Sequence, residues 1–183
     1  MRYTFHTEQW LPYPVESVFA FFADPENLPR LMPPWQKARI EGAELAPPPV
    51  HPTRDTAVRL KNIVAGVGTR LILSFRPFPF SPIRVPWEAE ITDFVWNDRF
   101  CDRQLRGPFA SWNHCHTVRA QTNPQTRAGR PGTLLTDDIR YEIPFGKIGD
   151  LAQHLLIRRQ LSKSFAYRQA RTSDLMSRIS ATQ

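Results

Sequence analysis

In GPFASWNHCHTV, residues 107–118, a Gly-Pro turn is followed by Trp112, His114 and His116 at alternate positions. A strand sends alternate side chains to the same face, so this spacing makes the three rings neighbours. Two imidazoles so placed can act as acid and base, bind a cation, or line a pocket. Carboxylates stand on either side in sequence, Asp102 before the turn and Asp137 in GTLLTDDIRYEI after it. A buried carboxylate beside an imidazole favours the imidazolium and fixes its tautomer, so Asp-His pairs can simply satisfy one another. The same pairs can orient the polar end of a ligand, or move protons at an enolisable ketone as a cyclase or dehydratase requires. His114, His116, Asp102 and Asp137 are therefore the candidate catalytic set. Two histidines two residues apart are not a specific metal signature, so neither a metal nor another cofactor is expected.

Strand parity sorts the polar residues by face. In GTLLTDDIRYEI the odd positions carry Leu135, Ile139 and Ile143, which makes theirs the buried face and takes Asp137 and Tyr141 inside. On the preceding strand the bulk of Trp112 and Val118 places His114 and His116 inside with them. In RFCDRQLRG two faces compete, Phe100, Asp102 and Gln104 against Cys101, Arg103 and Leu105; an assumed tight hairpin about Gly107-Pro108 would pair Asp102 with His114 and Gln104 with Trp112. The next hairpin pairs His116 with Asp137 and Trp112 with Tyr141. A slip of one residue would reverse each of these facings.

Tyr3 to Leu11 reads as a strand closed by Pro12 and Pro14. PVESVFAFFADPENLPRLMPPW begins with proline and spaces Val15, Val18, Phe19 and Phe22 as a helix does. Asp24-Pro25 interrupts it, so two short helical pieces are expected. After a strand over Ala38 to Leu45, the proline-rich stretch from Pro47 to Val67 reads as an irregular excursion. TRLILSFRP, VPWEAEITDF, RFCDRQLRG, FASWNHCHTVRAQ and GTLLTDDIRYEI then form a meander, whose sheet must be mainly antiparallel. A long helix from about Ile148 to Ile179 ends the chain. It repeats apolar residues at Ile148, Leu151, Leu155, Leu161 and Phe165, with Arg158 and Ser162 interrupting the stripe. Arg158 either lays its stem on the core with its charge in solvent or points inward as an anion clamp.

At 183 residues the chain fits one domain, residues 1–183, able to enclose a cavity. No apolar run is long enough to span a bilayer, and the N-terminus lacks the apolar core of a signal peptide. A cytoplasmic location is expected. The two cysteines, Cys101 and Cys115, have neither metal-finger nor redox spacing and are expected to be reduced strand residues. The net charge of +7 is concentrated at the C-terminal end, where seven basic residues face two acidic ones from Lys147 onward. A solvated helix face explains it. An interaction module binding anionic partners through that helix is the functional alternative, but no nucleic-acid recognition motif accompanies the charge and none is expected as a partner.

Strand, two short helices, meander and long final helix is an order that resembles the START and polyketide cyclase/dehydratase superfamily, also called SRPBCC. FCDRQLRGPFASWNHCHTV and GTLLTDDIRYEIPFG are similar to one bacterial subgroup with D-x-Q-x-x-G-P-F/Y-x-x-W-x-H-x-H followed by G-T-x-x-x-D-x-x-x-Y-x-x-P. Some members carry a cell-division-inhibitor label. The resemblance implies an α+β helix-grip fold: six or seven antiparallel strands curve around the long helix, with an internal cavity between them. It implies binding of a hydrophobic or amphipathic, lipid-like or polyketide-like molecule for transport, sensing or presentation, with cyclase/dehydratase catalysis as the alternative. Phe75, Trp87, Ile91, Gln104, Trp112, Tyr141, Leu155 and Arg158 are the expected ligand-binding residues. Oligomeric state is not legible.

Overall fold

The computed structural model describes residues 1–52, 64–123, 129–144 and 146–181. Its strands are β1 (Arg2–Leu11), β2 (Arg39–Glu44), β3 (Arg70–Phe75), β4 (Val85–Val95), β5 (Arg99–Arg106), β6 (Ser111–Thr122) and β7 (Pro131–Glu142). They form one antiparallel sheet in the order β1-β7-β6-β5-β4-β3-β2, which brings the first strand against the last. Register shifts between Glu88 and Ala89 and between Ile91 and Asp93 bulge β4 against β5. Bulges sharpen local twist, and the sheet curves where the long helix lies.

Helix α1 (Val15–Ala23) buries Val18, Phe19 and Phe22 and ends at Asp24, whose extended backbone precedes Pro25. Three single 3₁₀ turns follow, over Pro25–Asn27, Pro29–Leu31 and Pro34–Gln36, where the sequence suggests a second helical piece. A proline opens each turn and contributes no N–H, so no run longer than one turn forms. The irregular excursion is described only outside residues 53–63, which hold its middle. The hairpin loop between β6 and β7 likewise lies outside the description at residues 124–128.

The C-terminal helix has three parts: α2 (Gly146–Ala152), a π turn (Gln153–Ile157) and α3 (Arg158–Ser180). A π turn takes an extra residue for the same rotation, which turns everything after it relative to the helix before. Leu151, Leu155 and Leu156 are exposed, while Leu161, Phe165, Thr172, Leu175 and Met176 follow one inward stripe. The side chain of Ile148 is outside the description.

Two apolar clusters hold the layers together. One joins Leu11, α1, Phe94, Phe100, Val118 and Leu135 to Leu175 and Met176 of α3. The other joins Trp112, Ile139 and Tyr141 to Phe165, with Phe5, Trp87 and Leu161 against it. The polar residues of β6 and β7 lie between the two.

The cysteines differ from the reduced pair read in the sequence: Cys101 and Cys115 form a disulfide. The ladder pairs them directly across β5 and β6, one residue from the Asp102–His114 pair. Adjacent side chains on a strand point oppositely, so the bridge is on the convex face when the histidines are on the concave one. Alkylation without reductant should leave both cysteines unmodified, and replacing both with alanine should cost up to about 3 kcal/mol, as expected for a loop of this size. Ready alkylation of both in the unreduced protein would contradict the bridge.

Candidate functional site

The hairpin registers place the polar residues as parity suggests. Asp102 pairs with His114, His116 with Asp137, and Trp112 with Tyr141. Alternate residues of β7 from Thr133 to Tyr141 are buried, and so are Trp112, His114, His116 and Val118 of β6. At the centre is the Asp137 carboxylate, only 3% exposed. Its Oδ1 accepts a hydrogen bond from His114 Nε2 at 2.9 Å. His116 Nδ1 lies 2.7 Å from the same oxygen but off the axis of a good hydrogen bond, so that contact is chiefly electrostatic. The neighbouring imidazoles and the Arg168 guanidinium hold the Asp137 carboxyl well below its ordinary range despite its burial.

Each imidazole is left with one further nitrogen. His114 Nδ1 is 3.7 Å from Asp102 Oδ2. His116 Nε2 accepts from Arg168 Nη2 at 3.4 Å, which requires that nitrogen to carry its lone pair. Burial, reinforced by His114, pushes the His116 imidazole down to about 3, so it is neutral at ordinary pH. Burial pushes the Asp102 carboxyl up, opposed by His114 and Arg168. His116 packs between Phe100 and Phe22, with ring centroids 4.5 and 5.5 Å away, and His114 meets the edge of Phe165.

This cluster opens into a cavity of about 500 Å³ between the sheet and α3. Leu71, Leu73, Phe75, Trp87, Ala89 and Ile91 supply its sheet wall, and Phe22 with the 3₁₀ turns supplies another. From the helix come Ile157, Gln160, Leu161, Ser164, Phe165 and Arg168, the residues of one helical face.

Of the residues singled out in the sequence, Phe75, Trp87, Ile91, Asp102, Trp112, His114 and His116 line this cavity. Asp137 stands behind the histidines and Tyr141 behind Trp112, where the Tyr141 hydroxyl accepts from Gln153. Gln104 is elsewhere: its amide clamps the hairpin, donating to the Phe109 carbonyl at 2.8 Å, and a side chain at Gly107 would collide with it. Leu155 is 63% exposed and Arg158 is exposed too, so neither joins the lining. The face that lines the cavity runs instead through Ile157, Leu161, Phe165 and Arg168. Arg168 was missed, although it sits three residues after Phe165 and seven after Leu161 on the same face.

Asp102, His114 and His116 can each bring one ligand atom within 4.8 Å of the others, which makes them, among the described residues, a group able to hold a metal. The Arg168 guanidinium against His116 Nε2 opposes a second cation there. Chemically, the cluster offers hydrogen-bond donors and acceptors at one end of an apolar chamber.

A family model described as polyketide cyclase / dehydrase and lipid transport matches residues 11–162. No curated protein matches the chain. Among solved structures, ginseng major latex-like protein 151 from Panax ginseng is 13% identical, covering 94% of this chain and 96% of that one, with a TM-score of 0.57. A protein from Mycobacterium smegmatis is 16% identical over 98% of this chain and 92% of its own, with a TM-score of 0.58. A nucleoside-diphosphate sugar epimerase from Corynebacterium glutamicum is 20% identical, with a TM-score of 0.59; the match covers 97% of this chain and 30% of the epimerase. At these identities the likeness is one of fold, the helix-grip arrangement.

An unfolded imidazole takes a proton near pH 6.5, whereas folded His116 takes one only near pH 3. The unfolded chain binds more protons between these values, so the stability contributed by neutral His116 is full above pH 6.5 and is lost as pH falls toward 3. The raised carboxyl of Asp102 acts in the opposite sense, so the comparison is made against a His116→Gln variant. From pH 7 to pH 5 the stability advantage of wild type over this variant should shrink by about 2 kcal/mol in urea unfolding. A difference that does not vary with pH would show that His116 is not buried neutral.

Proposed function

Because the chain belongs to the polyketide cyclase/dehydrase and lipid transport family, we propose that its cavity binds a hydrophobic or amphipathic small molecule for transport, sensing or presentation. The observation that carries this reading is the composition of the chamber. Trp87, Trp112, Phe75 and Ile91 supply apolar walls, and Asp102, His114 and His116, brought together by β5 and β6, supply a cluster of hydrogen-bonding groups facing the same space. A cavity of about 500 Å³ falls within the range of small-molecule sites. Burial of the ligand's apolar body supplies affinity at roughly 25 cal/mol per Å², and the polar end fixes its orientation. The whole chain, residues 1–183, serves as one ligand-binding domain in this reading.

A catalytic reading rests on one nitrogen. If the neutral tautomer of His114 donates Nε2–H to Asp137, Nδ1, 3.7 Å from Asp102, is left with a lone pair on a residue that lines the cavity. A base so oriented can take the proton from carbon next to a ketone, the C–H electron pair passing through the new C=C bond to leave charge on oxygen. Cyclase and dehydratase reactions both begin in this way. The same residues then bind and react in turn, so ligand binding is common to both readings.

The test is to fill the chamber. Ala89 lines it and is 9% exposed. An Ala89→Trp variant should bind the neutral fluorophore N-phenylnaphthylamine at least about tenfold more weakly than wild type, while circular dichroism shows the fold intact. Undiminished binding to a folded variant would locate the fluorophore elsewhere and remove the support for this cavity. Loss of turnover in His114→Gln with binding retained would establish the catalytic reading for any substrate found.

A further inference from the structure

We propose that the ligand's polar end is a carboxylate and that Arg168 is its receptor. This inference rests on the reading that the cavity is a ligand site and specifies what that site recognises. Arg168 is the one Arg or Lys lining the chamber among the described residues, and it forms no ion pair with a carboxylate among them. Its Nη2 donates to neutral His116, and its buried Nε has no hydrogen-bond partner. The guanidinium carbon lies 5.3 Å from the Phe22 ring centroid and 5.5 Å from that of Phe165.

These aromatic contacts hold the guanidinium in place and offset part of its desolvation. They do not satisfy its donors. A cation facing an apolar space, with an unused N–H, is costly unless something negative arrives to pair with it. Asp137, behind the histidines, acts on the guanidinium only through space and forms no ion pair with it, so the Arg168 Nε donor stays unfilled. A carboxylate suits the fork of a guanidinium because its two oxygens can accept two N–H groups at once. Asp102 lines the same end of the cavity and, when protonated, can donate its own O–H to the ligand oxygen. The predicted ligand class is accordingly an amphipathic acid: one carboxylate at the Arg168 end and an apolar body running toward Trp87 and Leu73.

The test compares three probes with the same twelve-carbon body, each used below its micelle concentration: laurate, dodecanol and dodecyltrimethylammonium. Quenching of tryptophan fluorescence reports binding, since Trp87 and Trp112 both line the cavity. Wild type should bind laurate at least about tenfold more tightly than dodecanol and should bind the ammonium compound most weakly. In Arg168→Met the preference for laurate should fall to within about threefold while dodecanol binding is kept; Arg168→Lys should restore part of it. Equal wild-type affinity for laurate and dodecanol, or tightest binding of the ammonium compound, would overturn the carboxylate proposal and leave the cavity reading intact. No binding of any of the three would count against both. The wild-type comparison stands even if Arg168→Met does not fold.

Discussion

The Asp137 carboxylate, buried and shared by two imidazoles, is the constraint around which the interior is arranged. Removing a carboxylate from water is affordable only where charges and donors surround it, and here they come from His114, His116 and, more distantly, Arg168. Three elements must therefore keep register at once: β7 carries the acid, β6 the two rings, and α3 the guanidinium. The apolar clusters on either side clamp these elements together and leave the polar groups between them. Because Asp137 uses the inner nitrogen of each ring, the outer nitrogens are turned away from it, one toward Asp102 and one toward Arg168.

That orientation connects fold to function. The orienting acid is behind the histidines, so its side of the cluster is filled, while the opposite side meets the open chamber. A ligand entering there meets apolar walls along most of its length and the polar groups at one end. Helix α3 completes the chamber with the face that carries Leu161, Phe165 and Arg168, and Ile157 at the end of the π turn joins it.

Much of this was legible because β-structure has a strict period of two. Parity put Asp137, Tyr141, His114 and His116 on the inner side, whereas the facing of Asp102 was open in the sequence and its pairing with His114 rested on an assumed register that the ladder has. The same turn implied the disulfide: Cys101 and Cys115 are as symmetric about Pro108 as Asp102 and His114 are. Residue spacing that suits neither a metal finger nor a redox motif hid a bridge that hairpin register makes direct. The helix was less legible. Apolar periodicity does not by itself choose the inward face: Leu151 and Leu155 are apolar yet exposed, and Arg158 is exposed too, whereas Arg168 lines the cavity. Gln104 was misplaced for another reason: its amide satisfies the backbone of its own hairpin, a local use that face-counting does not register.

The most direct test of the account is a crystal structure with a long-chain acid that carries bromine at the far end of its tail. An acid held in the cavity gives an anomalous peak inside the chamber beside the β3 and β4 walls, with its carboxylate within hydrogen-bonding distance of Arg168. Bromine outside the chamber, or an interior filled by side chains with no room for the tail, would contradict it.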